Sequence, residues 1–221
     1  MKLRSPVRHV IFDMDGVLLD TEPIYTEVTG AIAAQHGKVF DWSVKADMIG
    51  RRAMDSAEYL VGALDLPLRP EEYLAQRQPR LEALLAGAGA IRGAESFTRE
   101  LHRRNVPLGV ATSTDTRLFA IKTQLHRAWF SIFGAIVCGD DPRVKRGKPA
   151  PDIFLVAACE LEASPSSCVV FEDSPLGVAA ALAAGMRVIA VPDPHMDRSR
   201  YADADLIIDN FDECSPSDLG F

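Results

Sequence analysis

Nothing in this sequence approaches the roughly 18 consecutive apolar residues of a membrane-spanning helix, so no contact with a membrane is expected. Residues 1–6 hold neither a long apolar core nor a small-residue cleavage pattern, so no signal peptide is expected either. Cysteine is scarce. Cys138, Cys159, Cys168 and Cys214 show no CxxC spacing, which argues against a thiolate metal site and reads as reduced thiols in a cytoplasmic protein. Basic clusters are missing from a chain of net charge -7, which makes it a poor nucleic-acid binder. A local site can still oppose the global charge and hold an anion. The histidines, His9, His36, His102, His126 and His195, lack ligand spacing. Of these, only His195, on a loop after a strand-like run, is a candidate for substrate contact.

What is present is an ordinary globular composition, 48% hydrophobic over 221 residues, enough for one large domain or one domain carrying a smaller insertion. Short runs apolar on consecutive positions fall at 7–12, 106–111, 135–138, 168–171 and 188–191, with a short edge candidate at 206–208. Consecutive apolar residues are the pattern of strands buried on both faces. Helical patterns at 93–104, 115–124, 151–161 and 176–184 separate them. This alternation predicts an α/β fold, a doubly wound parallel sheet with a Rossmann-like core.

One interval breaks the alternation. From about Pro23 to about Leu85 there is only amphipathic helical pattern, over 22–36, 53–64 and 70–85, with Pro79 expected to bend or break the last. A helical domain inserted after the first strand is predicted, dividing the chain into a core of 1–17 with 91–221 and a cap of 18–90. The linkers would be 16–20 and the permissive Ala-Gly-Ala-Gly-Ala run at 86–90, which suits a hinge.

The first strand ends in Asp13-Met14-Asp15-Gly16. Two carboxylates at the tip of a buried strand need compensation, and a hard divalent cation such as magnesium prefers carboxylate oxygen. Ligands of doubly wound sheets bind beyond the carboxyl ends of the strands. There the sequence places Thr112 and Ser113, Lys148, and Glu172 with Asp173. Acids for a metal, hydroxyl and amide groups for an anion, and a lysine as positive anchor are complementary.

Taken in order, each behind a predicted strand, these motifs resemble those of the haloacid dehalogenase-like hydrolase superfamily across essentially the whole chain. Asp13-Met14-Asp15-Gly16 matches the first motif, Thr112 the second, Lys148 the third and Glu172-Asp173 the fourth. The insertion is similar to the helical cap of a branch that includes small phosphatases and beta-phosphoglucomutase. Segments such as Trp42-Ser43-Val44-Lys45 and Gly139-Asp140-Asp141-Pro142 are most similar to the pseudouridine-5'-phosphatase group. The resemblance implies a magnesium-dependent phosphatase acting on a small-molecule phosphate ester, pseudouridine 5'-phosphate or another nucleotide or sugar phosphate.

The resemblance also implies roles. Asp13 attacks phosphorus to give an aspartyl-phosphate, a usable path for a carboxylate once metal and donors neutralise the phosphoryl oxygens. Asp15 protonates the leaving oxygen and later deprotonates water, which requires a raised pKa in the enzyme–substrate complex. Mg2+ is held by the Asp13 carboxylate, the Asp15 carbonyl and Asp173, with Glu172 binding directly or through water. Thr112, the Ser113 amide and Lys148 hold the phosphate. Closure of the cap would bring residues around Gly50–Met54 over Asp13, which makes Arg51 and Arg52 candidates for contact with the substrate's distal group or its phosphate. A monomer or weak homo-oligomer is expected. Among alternatives, a dehalogenase is excluded by Asp15, which dehalogenases of the family lack. A sugar-phosphate mutase is disfavoured because Tyr25 stands where the mutases carry a histidine. A protein that only binds its phosphate ligand is disfavoured because every motif acid and lysine is present.

Overall fold

In chain order the elements are β1 (His9–Phe12), α1 (Glu22–Gln35), α2 (Trp42–Lys45), α3 (Ala53–Leu64), α4 (Pro70–Leu85), α5 (Ala94–Arg103), β2 (Leu108–Ala111), α6 (Thr116–Lys122), α7 (Arg127–Phe130), β3 (Ala135–Val137), α8 (Asp152–Glu160), β4 (Cys168–Glu172), α9 (Pro175–Ala183), β5 (Arg187–Ala190), β6 (Leu206–Ile207) and α10 (Pro216–Leu219). The computed structural model describes residues 7–221. Residues 1–6, where no signal peptide was expected, lie outside the described residues.

The strands form one parallel sheet in the order β3-β2-β1-β4-β5-β6. Side-chain alternation divides each strand between two apolar layers. Val10 and Phe12 of β1, Leu108 and Val110 of β2, and Val169 and Phe171 of β4 face one layer, filled by Phe97 and Leu101 of α5 and Trp129 and Phe130 of α7. Ile11, Ala111 and Val170 face the other, filled by Ile153, Phe154 and Ala157 of α8 and Val178 and Ala181 of α9. Burial on both faces is why these strands read as unbroken apolar runs. The first layer centres on aromatics: the Phe12 and Phe171 rings stack at 5.0 Å, and Phe97 and Phe211 lie 5.4 and 5.5 Å from Phe171.

Helices α1 to α4 interrupt the βα alternation and share an apolar cluster of their own, built on Val28, Ile32, Leu60, Tyr73, Leu81 and Leu85. Leu118 of α6 is buried in that cluster, so the inserted helices lean on the sheet-side helix. The chain enters and leaves the insertion through adjacent segments. Asp20 N–H donates to the Gly89 carbonyl and Ile91 N–H to the Leu18 carbonyl, both at 2.9 Å, around a Leu19–Ala90 antiparallel bridge.

Three sequence expectations need correcting. Helix α4 runs unbroken through Pro79, because the turn before it packs Tyr73 and the turn after it packs Leu81 and Leu85 into the same cluster. Tertiary burial there outweighs the hydrogen bond that proline removes. The first strand begins at His9 rather than at residue 7, and a short helix α2, capped by the Asp41 carboxylate accepting from Ser43 N–H at 2.9 Å, was not anticipated. Three cysteines, Cys138, Cys168 and Cys214, are buried and Cys159 is exposed, all free. Among the described residues no helix is long and apolar enough to cross a membrane.

Because Phe171 packs against three other rings and faces no solvent, Phe171→Ala is expected to destabilise the fold by about 3–5 kcal/mol. A denaturant titration would show this as a lowered midpoint at unchanged slope. A loss below about 1 kcal/mol would show that the aromatic layer does not anchor β4.

Candidate active site

The site is assembled where β1, β2 and β4 end. Asp13 is the first residue past β1, and its N–H donates to the Phe171 carbonyl at 2.9 Å, so the ladder itself fixes where this carboxylate leaves the sheet. The chain then turns sharply. Gly16 has φ of 75° and its N–H donates to the Leu19 carbonyl. A side chain at 16 would meet the Asp173 carboxylate at 2.2 Å, so the glycine serves both the left-handed turn and the close approach of an acid.

Asp13, Glu172 and Asp173 are all buried, and carboxylate oxygens from the three lie within 4.8 Å of one another. Lys148, also buried, stands between two of them, with Nζ 2.5 Å from Asp13 Oδ1 and 2.7 Å from Glu172 Oε2. Glu172 is held further by Ser174, whose Oγ donates at 2.6 Å and whose N–H donates at 3.2 Å, and Gly177 of α9 leaves room for its carboxylate. The Tyr201 hydroxyl donates to the Asp173 carbonyl at 2.5 Å, fixing that residue from the far side.

One ammonium among three carboxylates leaves a net deficit of two positive charges. The titration behaviour expresses that deficit. Burial raises the Asp13 pKa, Lys148 pulls it back, and Glu172 and Asp15 push it up again, leaving it at about 7. Asp173 is driven well above the usual carboxylate range by burial and by the neighbouring Glu172 and Asp13. For Lys148 burial works against the ammonium, but Asp13 and Glu172 outweigh it and the pKa is raised. An all-oxygen donor set short of two charges fits a hard divalent cation such as magnesium. Asp13, Asp173 and Glu172 are the side chains that would hold it.

Asp15 points into a different network. Its Oδ1 accepts from Lys122 Nζ at 2.5 Å and from the Thr21 hydroxyl at 2.6 Å, and its Oδ2 from the Thr114 hydroxyl at 2.8 Å. Lys122 is fully buried and also donates to Thr114 Oγ1 at 2.7 Å. Burial alone would raise the Asp15 pKa, but the Lys122 charge and these hydrogen bonds reverse the sign and hold it below the usual range. The raised value was expected for the enzyme–substrate complex; without substrate, Lys122, which the sequence reading did not include, sets the opposite direction.

The other expected residues are near, with varied contacts. Thr112 is buried, its Oγ1 accepting from Thr114 N–H at 3.1 Å and lying 3.5 Å from Asp15 Oδ2. The Ser113 hydroxyl donates to the Gly50 carbonyl of the inserted segment at 2.9 Å. Arg51 and Arg52 both line the cavity but are engaged with protein. Arg51 Nε donates to the Asp47 carbonyl at 2.6 Å and its guanidinium lies over Tyr59, while Arg52 Nη2 donates to the Val144 carbonyl at 2.8 Å. His195, on the loop after β5, stacks on Trp42 of α2 at 5.1 Å and does not line the cavity.

The cavity itself holds about 260 Å³ between sheet edge and inserted helices. Its sheet side carries Asp13, Asp15 and Asp173, and its helical side carries Glu22, Tyr25, Lys45 and Arg77. Sequence reasoning missed Lys122 and Arg77, although each left a trace. Arg77 falls in the stripe Tyr73, Arg77, Leu81, Leu85 at four-residue spacing, and Lys122 follows buried Leu118 by four, so both sit on buried faces of their helices.

The model of the haloacid dehalogenase-like hydrolase family matches residues 7–185. The chain is 45% identical to "(DL)-glycerol-3-phosphatase 2" of Arabidopsis thaliana, over 98% of this chain and 92% of that protein. It is 41% identical to a "Probable pseudouridine-5'-phosphatase" of Drosophila melanogaster, over 99% of this chain and 96% of that protein. Among solved structures it resembles CbbY from Rhodobacter sphaeroides in complex with phosphate, at 26% identity and a TM-score of 0.78, covering 97% of this chain and all of that one. With its four motifs gathered at one sheet edge and relatives of this similarity along nearly its full length, the chain belongs to the haloacid dehalogenase-like hydrolase family.

Proposed function

We propose that this hydrolase is a magnesium-dependent phosphatase that cleaves a small phosphate monoester through an aspartyl-phosphate on Asp13. The observation that carries the reading is the trio of buried carboxylates, two of them paired with Lys148, beside a cavity that Asp13 and Asp173 line. The bound cation would supply charge neutralisation for the phosphoryl oxygens, and Asp13, Asp173, Glu172 and the Asp15 carbonyl would hold it.

The remaining chemistry falls to the chain. Asp13 leaves the strand end with its backbone fixed, so its free carboxylate oxygen can attack phosphorus in line while the ester oxygen departs on the opposite side. Lys148, anchored by Glu172, faces the charge that gathers on the phosphoryl group, and Thr112 with the Ser113 amide completes the donor set. Asp15 gives a proton to the departing alkoxide, so the products of the first half are the alcohol and the phosphorylated Asp13. Water then attacks that phosphorus, Asp15 takes its proton back, and inorganic phosphate leaves. The Lys122 pair readies the carboxylate for the second half. The first half requires the pair to loosen when substrate arrives.

We assign residues 18–90 the part of a cap domain that closes over the site and keeps bulk water out. The names of the relatives point to glycerol phosphate and pseudouridine 5'-phosphate as first substrates to assay.

Asp13→Asn is expected to cut phosphate release by roughly 10³-fold or more, as loss of a covalent nucleophile does. A chelator should abolish turnover of the unmodified enzyme and magnesium should restore it. Release that survives chelation would remove the metal from the reading. Lys122→Met should lower kcat by roughly 10- to 100-fold with a smaller change in KM, and Lys122→Arg should recover part of the loss. Equal kcat in the methionine variant and the parent enzyme would show that Asp15 works without its partner.

A further inference from the structure

Arg77 projects from α4 into the apolar cluster of the inserted helices, is only 5% exposed and lines the same cavity as Asp13. Its Nε is buried without a hydrogen-bond partner among the described residues. Guanidinium cannot relieve its burial by losing a proton, so an unpaired arginine in such a place needs an acceptor from elsewhere. The aromatic rings beside it, Tyr73 at 5.4 Å and Tyr25 at 5.9 Å, offer π faces to the cation but no acceptor for its in-plane N–H groups. The Tyr73 hydroxyl is already paired with Thr29 at 2.9 Å.

The carboxylates of the helical wall and of Asp15 are engaged elsewhere. Glu22 pairs with Lys45 at 3.1 Å and Asp15 with Lys122 at 2.5 Å, and no ion pair of Arg77 is found among the described residues. Arg77 lines the cavity, so a ligand oxygen there can accept from its guanidinium. Glu22 lines the same cavity and would repel a second ionised acid on the ligand, whereas a hydroxyl can accept from Arg77 and donate elsewhere. The volume, about 260 Å³, lies below the roughly 300–1,000 Å³ of sites that take drug-sized ligands, so the group has to be short.

We infer that Arg77 is a specificity residue that donates hydrogen bonds to a hydroxyl oxygen of a short polyol leaving group, making the substrate a short-chain polyol phosphate rather than a nucleoside phosphate. This rests on the phosphatase reading above. Its force comes from the same source as other polar recognition. A buried donor built for a hydroxyl discriminates strongly against a ligand that lacks one.

The test compares glycerol 3-phosphate with propyl phosphate, which has the same carbon chain without the hydroxyls, and with pseudouridine 5'-phosphate and 3-phosphoglycerate. In the unmodified enzyme glycerol 3-phosphate should have the highest kcat/KM of the four. Its advantage over propyl phosphate should shrink by about tenfold or more in Arg77→Gln, and Arg77→Lys should keep part of it. Arg77→Met should melt no lower than the parent, since it removes an unpaired buried charge. An equal loss on both esters, a lower melting temperature in Arg77→Met, or preference for the nucleoside or the acidic ester would overturn the inference. Titration of glycerol 3-phosphate and propyl phosphate into Asp13→Asn, and into that variant with Arg77→Gln, reads the same preference by affinity. If no ester is turned over, the phosphatase reading fails while this binding comparison still decides the role of Arg77.

Discussion

Lys148 is one cation shared by buried carboxylates that outnumber it, and much of the local architecture follows from keeping that unequal group together. A carboxylate removed from water without compensation is among the costliest groups a fold can bury. The structure accommodates this one through backbone positions rather than through further charge. Asp13 is tied into the ladder by its amide, Asp173 lies against the bare Cα of Gly16, and Glu172 lies against that of Gly177. Each glycine sits where a Cβ would collide with an acid. The first turn of α9, capped by Ser174, packs under the same carboxylate that Lys148 and Ser174 satisfy above. Close packing around the acids explains why the remaining charge has no protein partner and why the oxygen donors converge.

A second polar group lies beside the first and is balanced. Asp15 has Lys122, and around the pair Thr21 and Thr114 complete the donor set. Residues two apart on one turn thus experience opposite fields. Asp13 is raised and Asp15 is lowered, although burial pushes both upward. The difference arises from where their cations stand. Lys148 divides its attention between Asp13 and Glu172, while Lys122 opposes a single carboxylate. Separating two neighbouring acids in this way is how one turn can supply groups of different function.

The sheet was legible because both its faces are buried: a strand covered on two sides reads as an uninterrupted apolar run, and the runs ended where Asp13, Thr112 and Glu172 begin. Lys148, in a loop between Gly147 and Pro149, was legible by its motif. Residues whose meaning depends on a partner distant in sequence were not. Lys122 is 107 residues from Asp15, and in a linear reading it is a lysine at the end of a short helix. Arg77 on an apolar stripe resembles a long side chain carrying its charge out to solvent, a common arrangement that this buried position does not follow. Pro79 misled for a similar reason, since the penalty it imposes is local and the packing that offsets it is tertiary. Arg51 and Arg52 were placed in the right region, but their carbonyl acceptors, Asp47 and Val144, have no signature in sequence.

The two polar groups differ in how they depend on the inserted helices. Every contact of Lys148 described above comes from the sheet side, so the carboxylate group keeps its shape whatever α1 does. Asp15 instead accepts from Thr21, which is the N-cap residue of α1 and directly follows the entry linker. Lys122 in turn lies 5.1 Å below the ring of Tyr25, on the first turns of that helix. A displacement of α1 that left the sheet untouched would therefore strip a hydrogen bond from Asp15 and an aromatic face from Lys122, while Asp13 and Lys148 stayed paired. Fewer hydrogen bonds to the carboxylate and weaker shielding of its partner both change the ease with which Asp15 holds a proton. Position of the insertion is thus transmitted to Asp15 and withheld from Asp13, a division set by which side of the cavity each carboxylate takes its donors from.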